Sequence, residues 1–187
     1  MKLEWTLCLL VTVLLVFLVY SPHALRGDTA PPAFPPQRIV SLTLAADEIL
    51  LAIIPAERIA ALTYLSDDSQ YSNVVDEAQQ IQHKVHADAE QVIALRPDLI
   101  IASASGYTGV TARTLLAETD IPLLELPWFD SFAGVQQNIL DVGQAVGATD
   151  RARALVAAME QRLYAVEQQV AGRTRPRVLY YFPGGFV

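Results

Sequence analysis

The sequence predicts an α/β protein, a parallel-sheet lobe with flanking helices, and three observations carry that reading. Apolar strand-like runs alternate with amphipathic helical segments through most of the chain. The connections between them are short, as right-handed crossovers between parallel strands allow. Leu99-Ile100-Ile101-Ala102 is an unbroken apolar run without alternation, which suits a strand covered on both faces.

The elements follow in order. Arg38-Ile39-Val40-Ser41-Leu42 reads as a first strand, and Ala45 to Ile54 as a helix with Ile49, Leu50 and Ile53 on one side, broken by Pro55. Arg58 to Tyr64 is a second strand with a polar exit through Ser66, Asp67 and Asp68, and Ser69 to Gln80 is surface loop or irregular helix. Ile81 to His86 is a short strand or turn. Asp88 is a candidate N-cap for a helix carrying Val92, Ile93 and Leu95, which Pro97 stops while biasing Arg96 to extended geometry. The strand at Leu99 then opens into the small polar run Ser103-Ala104-Ser105-Gly106-Tyr107, at the carboxyl end, where open parallel sheets place their ligands.

The plan then repeats. Thr111 to Glu118 has helical spacing with Leu115 and Leu116 inward, and Ile121 to Leu126 is a strand with Pro122 near its start. Its exit is Pro127-Trp128-Phe129-Asp130. Ser131 caps a helix from Phe132 to Val146 with Gly147 as its stop, and Asp150 opens a longer helix to about Ala171 with an apolar stripe from Leu155 to Val170. Arg177 to Phe182 reads as a last strand without an obvious partner.

Ahead of these elements, Trp5 to Tyr20 is an apolar run of about 16 residues, shorter than the roughly 20 that span a bilayer as a helix and similar to the apolar core of an export signal. Residues 1–25 are therefore expected to be a signal peptide or, uncleaved, an N-terminal anchor of an exported protein. The prolines at 31, 32, 35 and 36 mark residues 26–37 as an extended tether. Across 187 residues, 52% are hydrophobic and the formal net charge is −7, so a sizeable core is available while nucleic acid is a poor partner. The one cysteine, Cys8, lies in the apolar N-terminal run, so the folded part has no disulfide.

Taken in order, Arg38-Ile39-Val40-Ser41-Leu42-Thr43 with Ala46-Asp47-Glu48-Ile49-Leu50, then Ala89 through Ile100 with its Leu95-Arg96-Pro97-Asp98-Leu99 core, then Ile121-Pro122-Leu123-Leu124 and the long helix ending at Gly172, resemble the substrate-binding proteins of ABC importers for iron-siderophores, haem and vitamin B12. The resemblance implies two α/β lobes joined by a rigid helix, with the ligand between them and little closure on binding. On that reading residues 38–149 are the N-terminal binding lobe, 150–172 the bridging helix, and 173–187 the first strand of an incomplete second lobe. A fragment of a longer reading frame or a split gene is the corresponding expectation. The resemblance further implies a monomer that delivers a small-molecule metal chelate to a membrane permease, with no intrinsic cofactor.

Such a ligand calls for aromatic walls and a few oriented polar groups. Tyr64, Tyr107, Trp128 and Phe129 follow strands and are candidates for the cleft, against the alternative that they pack in the core or at sheet edges. Ser105 belongs with them in the polar run. Lys84, with His83, occupies the loop before the helix at Ala89, which in the family reaches the cleft; the alternative is a solvated loop. Glu90 stands where the family's exposed glutamate meets permease arginines, although a carboxylate there also favours the helix N-terminus. His83 and His86 fall in a segment read as a short strand or turn rather than a helix, and iron or cobalt is expected to arrive already chelated. A truncated, non-transporting scaffold or remnant stands as the alternative, because the second lobe the resemblance implies is nearly absent, and a Rossmann-type enzyme stands behind it, because no Gly-x-Ser-x-Gly elbow, phosphate loop or full dinucleotide fingerprint is found.

Overall fold

A computed structural model describes residues 35–104 and 110–179. Five parallel strands, β1 (Ile39–Ser41), β2 (Ile59–Thr63), β3 (Lys84–Val85), β4 (Leu99–Ser103) and β5 (Leu123–Leu126), form one sheet in the order β3-β2-β1-β4-β5. The helices are α1 (Leu44–Ile53), α2 (Val75–Ala78), α3 (Ala89–Ala94), α4 (Val110–Ala117), α5 (Phe132–Ala145) and α6 (Thr149–Val170). The chain moves outward from β1 to β3, then returns to β1's other side with β4, so the order reverses between β1 and β4.

Because successive side chains of a strand point to opposite faces, the sheet divides its apolar residues between two layers. Ile39, Leu99 and Ile101 face one way, against Leu50 and Ile53 of α1, Val142 of α5 and Ala152 of α6. Val40, Leu42, Ile100 and Ala102 face the other, against Ala89 and Val92 of α3 and Leu116 of α4. All five residues of β4 are buried, as an apolar run between two helical layers should be. Each fully buried leucine or isoleucine contributes roughly 1.5–3 kcal/mol, so the two layers supply the main driving force of the fold.

Helix ends follow local chemistry. Asp88 caps α3 by accepting from the amides of Glu90 and Gln91, and the Ser131 hydroxyl accepts from the Gly134 amide at the start of α5. Gly147 takes φ +68° just after α5, a conformation that favours glycine. At Gly143 a Cβ would collide with the Cβ of Ala152, so its lack of a side chain lets α5 and α6 approach.

At the amino ends of the strands, polar side chains bind backbone to backbone. The Asp98 carboxylate accepts from the amides of Gln37 and Arg38 at 2.7 and 2.8 Å, and the Arg38 guanidinium donates to the carbonyls of Leu95 and Arg96. Arg58 donates to the carbonyls of Pro36 and Val146, joining the segment before β1 to the end of α5. Burial lowers the Arg58 pKa, an effect that nearby Asp98 partly opposes.

Four expectations are corrected. Arg96 is not extended but has φ +49°, and Arg38 holds the carbonyls of this corner in place. Leu115 is 49% exposed, because α4 turns Ala112 and Leu116, one helical turn apart, toward the sheet. The stripe on α6 packs only through its first part: Leu155, Val156 and Met159 lie on the core, whereas Tyr164, Val166 and Val170 are exposed. Residues 177–179 form no strand; no described strand pairs with them, and Val178 and Leu179 are the most exposed of the large apolar side chains described. Residues 180–182 of that expected strand, and the expected signal segment and most of the tether, lie outside the described residues.

Candidate functional site

The carboxyl ends of β1, β2, β4 and β5 open on a cavity of about 670 Å³. Its position beside the β1/β4 reversal follows from topology: the crossovers leave in opposite directions there, so no helix covers the strand ends between them. β1 contributes Leu42 and, beyond its end, Thr43; β2 contributes Thr63 and then Tyr64; β4 contributes Ser103; and β5 contributes Leu126 followed by Pro127, Trp128 and Phe129. The first turn of α1 forms part of the wall through Leu44 and Ala45, and amides at a helix start lack intrahelical acceptors.

The aromatic part is exposed rather than packed. Tyr64, Tyr71, Trp128 and Phe129 all line the cavity while remaining 47, 62, 64 and 38% accessible. Trp128 and Phe129 stack with ring centroids 5.7 Å apart and planes 7° from parallel, so both offer apolar ring surface in one orientation at the cavity wall. The Tyr64 ring lies 4.1 Å from that of His86, which steadies its far side.

Polar contacts hold the loops that carry these rings. Asn138 of α5 donates through Nδ2 to the Pro127 carbonyl, fixing the backbone just before Trp128, while its Oδ1 is buried without a hydrogen-bond partner among the described residues. On the opposite wall, the fully buried Asp47 accepts from the Thr63 amide, with its oxygens at 3.2 and 3.4 Å, and so ties α1 to the point where Tyr64 leaves β2. Burial raises the Asp47 pKa to about 8, although hydrogen bonds from the Ser41 side chain and the Thr63 backbone pull it down. Glu48, the next residue, lines the cavity and accepts from the amide and Nδ2 of Asn73.

Of the residues expected at the cleft, Tyr64, Trp128 and Phe129 are brought together in this cavity. Ser105 and Tyr107 lie outside the described residues. Lys84 does not line the cavity: its ammonium donates to the carbonyls of Ala78 and Ile81 and pairs with Asp67 at 2.9 Å, because its position on β3 turns it toward the loop around α2. Glu90 is exposed at the start of α3 and is not among the lining residues, although Ala87, just ahead of that helix, is. Sequence reasoning missed Tyr71, Asp68 and Asn138. Tyr71 sits in a stretch whose low apolar content reads as surface, Asp68 in the polar exit of the second strand that reads as a solvated turn, and Asn138 is a polar residue on the inner side of an amphipathic helix, a signal in itself. Among the described residues, no group of three His, Cys, Asp or Glu side chains is placed to hold a metal ion.

The profile of the family described as "Periplasmic binding protein" matches residues 39–185. An uncharacterized ABC transporter substrate-binding lipoprotein, YvrC, of Bacillus subtilis is 27% identical over 135 residues, covering 72% of this chain and 42% of its own length. A cobalamin-binding protein of Halobacterium salinarum is 28% identical over 157 residues, covering 81% of this chain and 41% of its own. The crystal structure of a periplasmic haem-binding protein from Pseudomonas aeruginosa superposes with a TM-score of 0.59 at 23% identity, over 73% of this chain and 47% of that one. The chain thus spans about two fifths of the length of the curated relatives it matches.

Proposed function

The chain belongs to the periplasmic binding protein family, and from that premise we propose that it is the exported solute-binding component of an ABC importer, capturing a metal chelate and passing it to a membrane permease. The chelate is an iron-siderophore, haem or cobalamin. The observation that carries this reading is the cavity at the carboxyl ends of the strands, whose stacked Trp128 and Phe129 and exposed Tyr64 and Tyr71 offer the flat apolar wall that a bulky chelate needs. The substrate-binding and cobalamin-binding names of the two relatives support it. So does the family itself, which is one of solute binders rather than enzymes.

Within this reading Glu90 is the permease contact, since it is exposed and is not one of the cavity-lining residues, and α6 is the bridging helix toward a second lobe, whose surface would cover Tyr164, Val166 and Val170. No described helix is long and apolar enough to cross a membrane. The direct test is equilibrium dialysis of the full chain against haemin, cyanocobalamin and a ferric siderophore, each followed by its own visible absorbance. Retention of at least one is expected, and it should weaken in the Trp128→Ala variant; retention of none defeats the reading.

A further inference from the structure

We propose that the cavity selects a metal macrocycle carrying amide arms and no net negative charge, a corrinoid, over haem and over ferric catecholates. This rests on the reading of the cavity as the chelate site. The first ground is charge. The side chains lining the cavity among the described residues include two carboxylates, Glu48 and Asp68, and no lysine or arginine. Among the described residues, Lys84 and Arg113, near this end of the sheet, are already paired: Lys84 with Asp67 at 2.9 Å, and Arg113 with Glu125 at 3.1 Å.

Haem carries ionised propionates, and a ferric tris-catecholate is a trianion. Either would enter a partly desolvated wall with carboxylates and no countercharge, where each unfavourable pairing weakens binding by about tenfold. A corrinoid meets the same wall with primary amides, whose N–H groups donate to Glu48 and Asp68 rather than repelling them.

The second ground is hydrogen-bond sense. Asn138 is 2% exposed, lines the cavity, and has an Oδ1 without a partner among the described residues because its Nδ2 is committed to Pro127. An orphaned buried acceptor is satisfied only by a donor, and propionates and metal-bound catecholates offer none. An amide arm offers two N–H groups, and its carbonyl can in turn take amides from the first turn of α1 at Leu44 and Ala45. The stacked Trp128 and Phe129 do not discriminate, since porphyrin and corrin both present a flat face.

The full chain is dialysed against cyanocobalamin, haemin and a ferric tris-catecholate at equal concentration. The corrinoid is expected to bind at least about tenfold more tightly than either anion. In the double variant Glu48→Gln/Asp68→Asn, which keeps shape and acceptor oxygens, the preference over haemin should shrink by about tenfold; Asp68→Asn alone, on an exposed loop, should shrink it in part. Haemin or the catecholate binding the unaltered chain as tightly as the corrinoid overturns this selectivity while chelate capture stands. An unchanged preference in both variants overturns the role of the carboxylates. Retention of none of the three compounds defeats chelate capture itself.

Discussion

At the amino ends of the strands, charged side chains bind one stretch of backbone to another; at the carboxyl ends, aromatic rings stand in solvent around a cavity. Asp98, Arg38 and Arg58 satisfy amides and carbonyls of Gln37, Leu95, Pro36 and Val146. Tyr64, Tyr71 and Trp128 have no comparable packing. The same sheet thus separates its tasks by end. One end holds the strands in register, and the other keeps apolar surface available, at the expense of stability, for something outside the chain.

Asp47 is where the two tasks meet, and it offers the largest effect. Its carboxyl titrates near 3.8 when unfolded and near 8 when folded, so between those pH values the native state holds a proton that the unfolded chain has released. Stability should therefore fall as pH rises from about 4 to about 8, on the order of a few kcal/mol. Urea unfolding across that range should show a decline that is flattened in Asp47→Asn, which cannot ionise; parallel curves for the two proteins would remove Asp47 as the cause.

Next comes the tied end. Asp98→Ala strips two backbone amides of their acceptor and should destabilise the fold by about 2 kcal/mol, read as a lower urea midpoint, while leaving chelate affinity unchanged. Trp128→Ala should do the reverse: chelate affinity falls by roughly tenfold or more, with stability within about 0.5 kcal/mol of the unaltered chain. If both variants shifted both quantities, the division between ends would not hold. The smallest change in stability belongs to Glu90→Lys, a few tenths of a kcal/mol from the helix N-terminus, yet uptake through the permease should drop sharply with chelate affinity intact. Unaltered uptake would leave Glu90 with the helix alone.

Features set by neighbours along the chain are legible in the sequence. Asp88 and Ser131 cap because a short acceptor precedes a helix, Gly147 ends α5 because it accepts positive φ, and β4 is an uninterrupted apolar run because helices cover both its faces. Tyr64, Trp128 and Phe129 are legible as strand-exit aromatics. What depends on distant partners is not. Arg96 departs from the extended geometry usual before proline where Arg38, 58 residues away, grips its carbonyl. Lys84 is drawn from the cleft by Asp67 and two carbonyls that sequence does not place beside it. Leu115 and Leu116 are equally apolar, and only the orientation of α4 decides which is buried.

The stacked Trp128 has a consequence for observation as well as for affinity. The chain has two tryptophans, and the other, Trp5, lies in the N-terminal apolar run. With Trp5 replaced by Phe, all indole emission would come from the cavity wall, beside a ring stacked parallel to it to within 7°. Corrins and porphyrins absorb where indole emits, so a macrocycle settling on that wall would quench it by resonance transfer. The cleft carries its own optical gauge, readable in a cuvette without any attached dye.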